Sequence, residues 1–261
     1  MARIIASVNQ KGGVGKTTIT MNLGIGLARA GKKVLLIDFD PQGSLTDCLG
    51  FPEPDEMDVT SASLMMDCIN DENHGAGYGI LKHQEGIYLL PGNIDLSGLE
   101  VTLVNVMCRE MILKRYLARL SNFYDYILID CMASLGTLTI NALAAADSVL
   151  IPLMAEKPSI RGLQQLLKTI GMVRRNMNPE LQIEGIVPNK VDERTNYNKG
   201  IVRQLREVYD GPLKVFDCIP QSIRVAETAA QGVSIFTYDP SGNGAKAYQS
   251  LVDKILEENA I

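Results

Sequence analysis

The chain has 261 residues, of which 46% are apolar and 21% are charged, and its formal net charge is −5. This composition is ordinary for a soluble globular protein, and no apolar run approaches the ~18 residues of a membrane span. Because the acidic balance is unlike that of a dedicated DNA-binding domain, any contact with nucleic acid must use a local basic patch. The five cysteines form no C-x-x-C pair, and no signal peptide precedes the first predicted strand. We therefore expect a cytoplasmic protein with thiols rather than disulfides.

Apolar runs alternate with helix-like segments along almost the whole chain. The predicted strands cover residues 3–8, 34–39, 87–90, 126–130, 149–153, 183–188 and 215–219. The predicted helices cover residues 17–30, 97–120, 137–146, 159–177, 197–209, 224–230 and 242–258. Strands that are apolar throughout are typical of a parallel sheet with both faces covered. The sequence therefore predicts an α/β fold: a doubly wound, mostly parallel sheet with helices on both faces.

We expect one domain that spans residues 1–261. Residues 51–80 are its least regular part, since turn-forming residues stand at both ends of this segment. We predict an irregular surface excursion there, with a short helix over residues 62–69. Ligands of doubly wound sheets bind beyond the carboxyl ends of the strands, so the residues that follow the predicted strands are the first candidates for a site.

The segment K-G-G-V-G-K-T-T follows the first predicted strand and opens the first predicted helix. It comprises Lys11, Gly12, Gly13, Val14, Gly15, Lys16, Thr17 and Thr18. Glycines let the backbone curl so that successive N–H groups point at phosphate oxygens, and the helix N-terminus adds positive charge at the same place. In such a loop Lys16 can contact the β- and γ-phosphates, while the Thr17 hydroxyl can ligate Mg²⁺. The segment is therefore predicted to bind a nucleotide.

One position departs from the general phosphate-loop pattern, because Gln10 stands where the first glycine is expected and a second lysine, Lys11, follows it. This variant resembles the deviant Walker A signature of the ParA/MinD superfamily of P-loop ATPases. The resemblance covers almost the full chain and is closest to the short ParA/Soj-like partition proteins. It implies a P-loop NTPase fold of the SIMIBI type, with ATP and Mg²⁺ as cofactors. It also implies an ATP-dependent homodimer, in which Lys11 contacts the partner subunit's phosphates alongside the catalytic Lys16.

Two predicted strands end in carboxylates, which are unfavourable near a triphosphate unless they orient Mg²⁺, water or a lysine. The pattern D-x-D-P-Q-G begins at Asp38, and the resemblance implies that Asp40 orients the attacking water while Asp38 lies near the metal. Asp130 ends an apolar strand in a Walker B pattern and is predicted to hold Mg²⁺ through water. The relatives usually continue with two prolines where this chain has Met132 and Ala133, so we expect a less constrained loop here.

The segment N-K-V-D after the predicted strand 183–188 is the candidate base-recognition site. Asn189 can contact a base edge through its side-chain amide, which is both donor and acceptor. N-K-x-D is also the guanine-recognition motif of GTPases, so a preference for guanine stays open, although the other motifs favour ATP. The resemblance implies that the loop containing Pro220 covers the base from the other side.

Two predicted helices carry basic stripes. Arg161, Lys168 and Arg175 recur every seven residues on one helix, and Lys199 and Arg203 share a face of another. A solvated helix face is the default for such residues, and the functional alternative is nonspecific contact with DNA phosphates. The resemblance adds two further candidates for DNA contact, Arg194 and Arg224.

The resemblance implies a slow, Mg²⁺-dependent ATPase that binds DNA nonspecifically as a dimer and associates with the nucleoid. With a ParB-like stimulating partner, it would drive segregation or positioning of a chromosome, plasmid, mobile element or protein assembly. One alternative is a MinD-like membrane-associated switch, although the acidic end of the predicted helix 242–258 argues against a basic membrane helix. Another is an ATP-dependent amide ligase of the dethiobiotin or cobyrinate type, which needs a second small substrate near the γ-phosphate.

Overall fold

The computed structural model describes residues 1–209 and 211–257, and within them every side chain except those at positions 158 and 160. Seven strands form one sheet: β1 (Arg3–Ser7), β2 (Val34–Phe39), β3 (Leu81–Lys82), β4 (Tyr88–Leu90), β5 (Tyr126–Cys131), β6 (Ser148–Met154) and β7 (Gln182–Asn189). Their order is β3-β4-β2-β5-β1-β6-β7, and every neighbouring pair is parallel except β3 and β4. The predicted α/β fold with a mostly parallel sheet is therefore confirmed.

The described helices cover both faces of the sheet. They are α1 (Lys16–Arg29), α2 (Ser44–Cys48), α3 (Ser61–Ile69), α4 (Asp95–Leu103), α5 (Ile112–Ala118), α6 (Thr137–Ala145), α7 (Lys157–Asn176), α8 (Asn196–Tyr209), α9 (Ile223–Gln231), α10 (Ile235–Tyr238) and α11 (Asn243–Glu257). Single 3₁₀ turns occur at Pro54–Glu56 and Arg109–Met111. No helix in these ranges is both long and apolar enough to cross a membrane. Residue 258, the last of the predicted helix 242–258, lies outside the described residues.

Side chains of the buried central strands point alternately to the two faces of the sheet, and the core therefore consists of two apolar clusters. Every residue of β2 and β5 is buried. Leu35 and Ile37 of β2 pack in one apolar cluster with residues of α3, α5, α6 and α7. Val34 and Leu36 pack in another with α1 and α11. Because successive strand residues point to opposite faces of a sheet, the two clusters lie on its two sides, and β2 and β5 are apolar except at the residues near their carboxyl ends, Asp38 and Asp130.

Two predicted elements are wrong in the structure. Residues 215–219 form no continuous strand: Val215 makes an isolated bridge with Ile186, and the next isolated bridge pairs Pro220 with Val191. Pro188 lies between these bridges and has no N–H to donate, so the ladder is interrupted there. The predicted helix 97–120 is divided into α4, a 3₁₀ turn and α5, and Cys108 in the break has a φ of 53°, which no α-helix allows.

The segment 51–80 contains one regular helix, as predicted for residues 62–69. Helix α3 begins after Thr60, whose side chain and that of Ser63 form a reciprocal capping box. Its residues Ala62, Leu64 and Met65 are buried in the core. The short strand β3, which the sequence did not indicate, follows this segment and pairs antiparallel with β4 at the sheet edge.

Candidate nucleotide-binding site

The predicted phosphate-binding segment, residues 11–18, spans the end of the loop that joins β1 to α1 and the first residues of α1. Gly13 and Gly15 have φ values of 73° and 92°, which L-residues rarely adopt, so the curl of the loop depends on glycine. Gly15 is also the N-cap of α1 and offers no side chain to its first amides. Those N–H groups and the helix dipole therefore make an anion site at the carboxyl end of a central strand.

Thr17 and Asp130 meet beneath this loop, 113 residues apart in sequence. The Thr17 hydroxyl donates to Asp130 Oδ2 at 2.6 Å. Thr20 Oγ1 lies 3.5 Å from the other oxygen, Asp130 Oδ1. Burial raises the pKa of Asp130 to about 8, with a further rise from Asp38, while Thr17 and the buried Lys16 favour its ionised form. A hydroxyl and a carboxylate at this distance are the hard oxygen donors that Mg²⁺ requires.

Asp38 is the cross-strand neighbour of Asp130 in the register of β2 and β5. Its Oδ2 accepts hydrogen bonds from the Thr46 backbone N–H and hydroxyl, both at 2.8 Å. Burial raises the pKa of Asp38 to about 6, although the bonds from Thr46 oppose the rise. The carboxylate therefore anchors the start of α2 as well as lying beside Asp130. Two buried carboxylates side by side form a donor set that suits a divalent cation.

Asp40 directly follows the last residue of β2 and is half-buried. One of its oxygens, Oδ1, accepts a hydrogen bond from the Gln42 backbone N–H at 3.0 Å. The following Gly43, at φ 60°, turns the chain into α2. This position at the carboxyl edge of the sheet is consistent with the predicted role of orienting water, which stays a prediction.

Lys11 pairs with a residue of its own chain. Its Nζ lies 2.5 Å from Glu156 Oε2 and 3.4 Å from Ser159 Oγ, at the start of α7. About a third of each charged side chain is exposed, 34% for Lys11 and 38% for Glu156. Glu156 could not be identified from the sequence as a partner of Lys11, because the two residues lie 145 positions apart. The predicted contact of Lys11 with a partner subunit stays a prediction.

The N-K-V-D segment contacts the phosphate loop. The side-chain Nδ2 of Asn189 donates to Val14 O at 2.8 Å, so this amide nitrogen is engaged by the loop. Asp192 accepts two bonds from the Arg194 guanidinium, at 2.9 and 3.1 Å. That pairing holds the pKa of Asp192 below its usual value.

A pocket beside this segment is placed to receive a base. Its lining residues are Thr18, Asn189, Lys190, Pro220, Gln221, Ser222, Ile223, Val225, Ala226 and Tyr248. The predicted base contacts Asn189 and Pro220 are thus brought together, whereas Asp192 is absent from this lining. Asp192 instead pairs with Arg194, and the base preference stays a prediction.

All seven candidate DNA contacts are exposed. They are Arg161, Lys168, Arg175, Arg194, Lys199, Arg203 and Arg224. Arg194 pairs with Asp192, and Arg224 Nε lies 3.5 Å from Asp239 Oδ2. Helices α7 and α8 begin close together, since the Lys157 backbone N–H lies 3.4 Å from the Tyr197 hydroxyl. Contact of these seven residues with DNA stays a prediction.

The loop after β5 lacks the usual prolines but is held by local contacts. Gly136 N donates to Ser134 Oγ at 3.2 Å, and Thr139 Oγ1 donates to Ser134 O at 2.9 Å. Met132 packs against the core as a half-buried side chain. The expectation that this loop is less constrained stays a prediction.

These features define a P-loop nucleotide-binding protein. They are the glycine loop after β1, Lys16 at the start of α1, and the pair formed by Thr17 and Asp130 at the end of β5. Comparisons with known proteins narrow the class. A family model described as an AAA domain matches residues 2–183.

The sporulation initiation inhibitor protein Soj of Bacillus subtilis is 40% identical over 256 residues, which cover 98% of both chains. The chromosome partitioning protein ParA of Myxococcus xanthus is 40% identical over 262 residues, covering 99% of this chain and 89% of that protein. The crystal structure of cobyrinic acid a,c-diamide synthase from Mycobacterium smegmatis, with a bound ATP analogue and magnesium, has a TM-score of 0.85 and 36% identity. It covers 99% of this chain and 96% of that one. This protein therefore belongs to the ParA/Soj-like ATPases of the ParA/MinD family.

Proposed function

We propose that this ATPase is a DNA partition switch. It binds ATP with Mg²⁺, dimerises face to face, holds nucleoid DNA nonspecifically, and separates when a ParB-like partner stimulates its slow hydrolysis. The observation that carries the proposal is Lys11, a partly exposed cation at the entrance of a complete phosphate loop. Full-length similarity to proteins named Soj and ParA supports the same role.

The residues around the loop suit the hydrolysis of ATP. Bound Mg²⁺ would neutralise charge on the β- and γ-phosphates. Thr17 and Asp130 offer it oxygen donors, and Asp38 adds negative charge beside them. Lys16 balances the phosphate charge from below, while Asp40 accepts a hydrogen bond from the attacking water and so orients it. A second cation, Lys11 of the partner, would stabilise transition-state charge as an arginine finger does.

The exposed cations suit DNA as the tether. Arg161, Lys168 and Arg175 lie along α7, and Lys199 and Arg203 lie along α8. Contacts of lysine and arginine with phosphates carry no sequence information and weaken steeply with salt. Because the overall charge is −5, binding requires these local surfaces, and a dimer would double them.

DNA binding by the purified protein tests the proposal. It is measured with ATP, ADP, GTP or no nucleotide, over a salt titration, for the wild type and Lys11→Ala. We expect salt-sensitive binding with ATP alone, and Lys11→Ala should abolish it. Lys32→Ala, an exposed lysine beyond the far end of α1, is the matched control and should bind normally. ATP-dependent dimers that bind no DNA under any condition would overturn the DNA tether.

A second candidate is an ATP-dependent amide ligase, because the Mycobacterium smegmatis structure described above carries the name of one. Such an enzyme turns over ATP when its acid substrate and a source of ammonia are both present. Adding cobyrinic acid and ammonia therefore distinguishes the two functions. A rise in phosphate release with these compounds, and none with DNA, would favour the ligase. Stimulation by DNA and a ParB-like protein alone would exclude it.

A further inference from the structure

Two adjacent residues at the end of β7 hold the phosphate loop by its carbonyl groups. Asn189 Nδ2 donates to Val14 O, and Lys190 Nζ donates to Gly13 O, each at 2.8 Å. These bonds cross 175 and 177 residues of sequence. Asn189 is predicted from the sequence to contact the base, whereas no sequence motif gives Lys190 a role.

Because the peptide group is planar, these two hydrogen bonds also fix the direction of the neighbouring N–H groups. In a trans peptide the C=O of one residue and the N–H of the next point in opposite directions. Holding the Gly13 carbonyl therefore fixes the direction of the Val14 N–H, and holding the Val14 carbonyl fixes that of the Gly15 N–H. Phosphate loops bind their ligand through successive backbone N–H groups of this kind. The two side chains thus determine where consecutive donors of the loop point.

The local backbone is adapted to this arrangement. Lys190 has a φ of 53°, in the left-handed region that is uncommon for residues other than glycine. Asn189 is buried, and its Nδ2 would lie 2.1 Å from a Cβ at Gly15, so the amide packs directly against the loop. A side chain at position 15 would displace it. The end of β7 and the loop therefore fit each other closely.

We propose that Lys190 is a positioning residue for nucleotide binding, whose ammonium holds the Gly13 carbonyl so that the loop's N–H groups face the phosphates. This proposal rests on the proposed binding of ATP. A cation on the carbonyl also polarises the peptide, which makes the Val14 N–H a stronger donor. Lys190 lines the base pocket as well, so its aliphatic stem joins the two parts of the nucleotide site.

Charge and stem can be separated by substitution. Lys190→Met keeps most of the stem and removes the ammonium, whereas Lys190→Arg keeps a cation of similar length. Lys190→Gly removes both and relieves the left-handed backbone. Lys114→Met, at an exposed position on α5, is the matched control. Affinities for ATP, ADP and adenosine are measured by calorimetry or competition without DNA, together with the melting temperature of the nucleotide-free protein.

We expect Lys190→Met to weaken ATP and ADP binding about 10-fold, the value of one charge-assisted hydrogen bond, and to leave adenosine binding unchanged. Lys190→Arg should restore most of the loss, and Lys190→Gly should not. Unchanged ATP and ADP affinities in Lys190→Met would overturn the proposal. So would an equal loss for adenosine, which would assign the effect to the stem in the base pocket.

These outcomes are independent of the partition function. If wild-type protein binds ATP tightly but never binds DNA, the partition function fails while the role of Lys190 can still be measured. If Lys190→Met binds ATP normally and still binds DNA, the role of Lys190 fails and the partition function stands. A wild type that binds no nucleotide would overturn both.

Discussion

Asp38 and Asp130 are buried side by side, so their ionised forms are disfavoured in the folded protein. The pKa of Asp130 is raised from 3.8 to about 8, chiefly by burial. Between these values the native state holds a proton that the unfolded state has released, so stability falls as pH rises through this window. We expect the Tm of the protein without nucleotide and Mg²⁺ to fall between about pH 5 and about pH 8. A full proton is worth about 1.4 kcal/mol per pH unit, or a few degrees in Tm.

Asp130→Asn should remove most of this fall, because an amide does not titrate. Thermal unfolding at a series of pH values measures it, with Asp58→Asn, an exposed acid, as the control. Mg²⁺ should also reduce the fall in Tm of the wild type with rising pH, because a bound cation favours the ionised carboxylates. If Asp130→Asn keeps the full wild-type slope, burial of Asp130 is not the source of the pH dependence.

Glu156 competes for the lysine that the proposed dimer requires. The Lys11–Glu156 pair is about a third exposed at both ends, so it contributes roughly 0–1 kcal/mol. Glu156→Gln should therefore lower the Tm by no more than about 2–4 °C and lower the concentration for ATP-dependent dimerisation by about 2- to 5-fold. Analytical ultracentrifugation with a slowly hydrolysed ATP analogue measures the shift. Glu180→Gln, an exposed acid, is the control, and weaker dimerisation of Glu156→Gln would instead assign Glu156 to the interface.

The loop between β5 and α6 has Met132 and Ala133 where the resemblance to the ParA/MinD superfamily implies two prolines. The Ala133 backbone N–H donates no hydrogen bond within the described part of the chain, so a proline there removes no donor. Ala133→Pro should raise stability by about 0.4–1 kcal/mol through the unfolded state, or by about 1–4 °C in Tm. Ala133→Gly should lower it. Scanning calorimetry tests both, and a fall in Tm for Ala133→Pro would mean that the loop needs a backbone angle that proline forbids.

Element prediction was accurate where one rule decided the outcome. The strand 34–39 was predicted at its observed limits because its run of apolar residues, interrupted at Asp38, is typical of a strand that is buried on both faces, and all six residues are buried. It was wrong where local and tertiary effects compete. Residues 215–219 have the composition of a strand, but Pro188 on the neighbouring strand has no N–H to donate. The hydrogen-bond ladder is therefore not continuous. The break in the predicted helix 97–120 at Cys108 depends on the packing of α4 and α5, which periodicity alone does not reveal.

The fold of the whole molecule brings together site residues that lie far apart in the sequence. Parallel strands place all their carboxyl ends at one edge, which brings Thr17 to Asp130 and Lys11 to Glu156 across more than 100 residues. Motif patterns could predict the loop and the acids because each is a local sequence with its own chemistry. The partners Glu156 and Lys190 could not be predicted in this way, since their roles depend on which loops meet at the edge. The sequence also could not indicate that Arg194 engages Asp192.

The proposed DNA surface can be measured as a property of the assembled molecule. Each phosphate contact contributes about 0.9 to the slope of log affinity against log salt concentration. A homodimer carries every substitution twice, so Lys199→Ala or Arg203→Ala should each reduce that slope by about 2 if both copies contact phosphate. Arg115→Ala, on α5 and paired with Asp71, is the control and should leave the slope unchanged. If all three variants keep the wild-type slope, this face of α8 is solvated and does not contact DNA. The same series on Arg161 and Lys168 would then test α7. A reduction confined to α8 would instead orient the DNA across the edge of the sheet where β7 lies, the strand whose end contacts the phosphate loop.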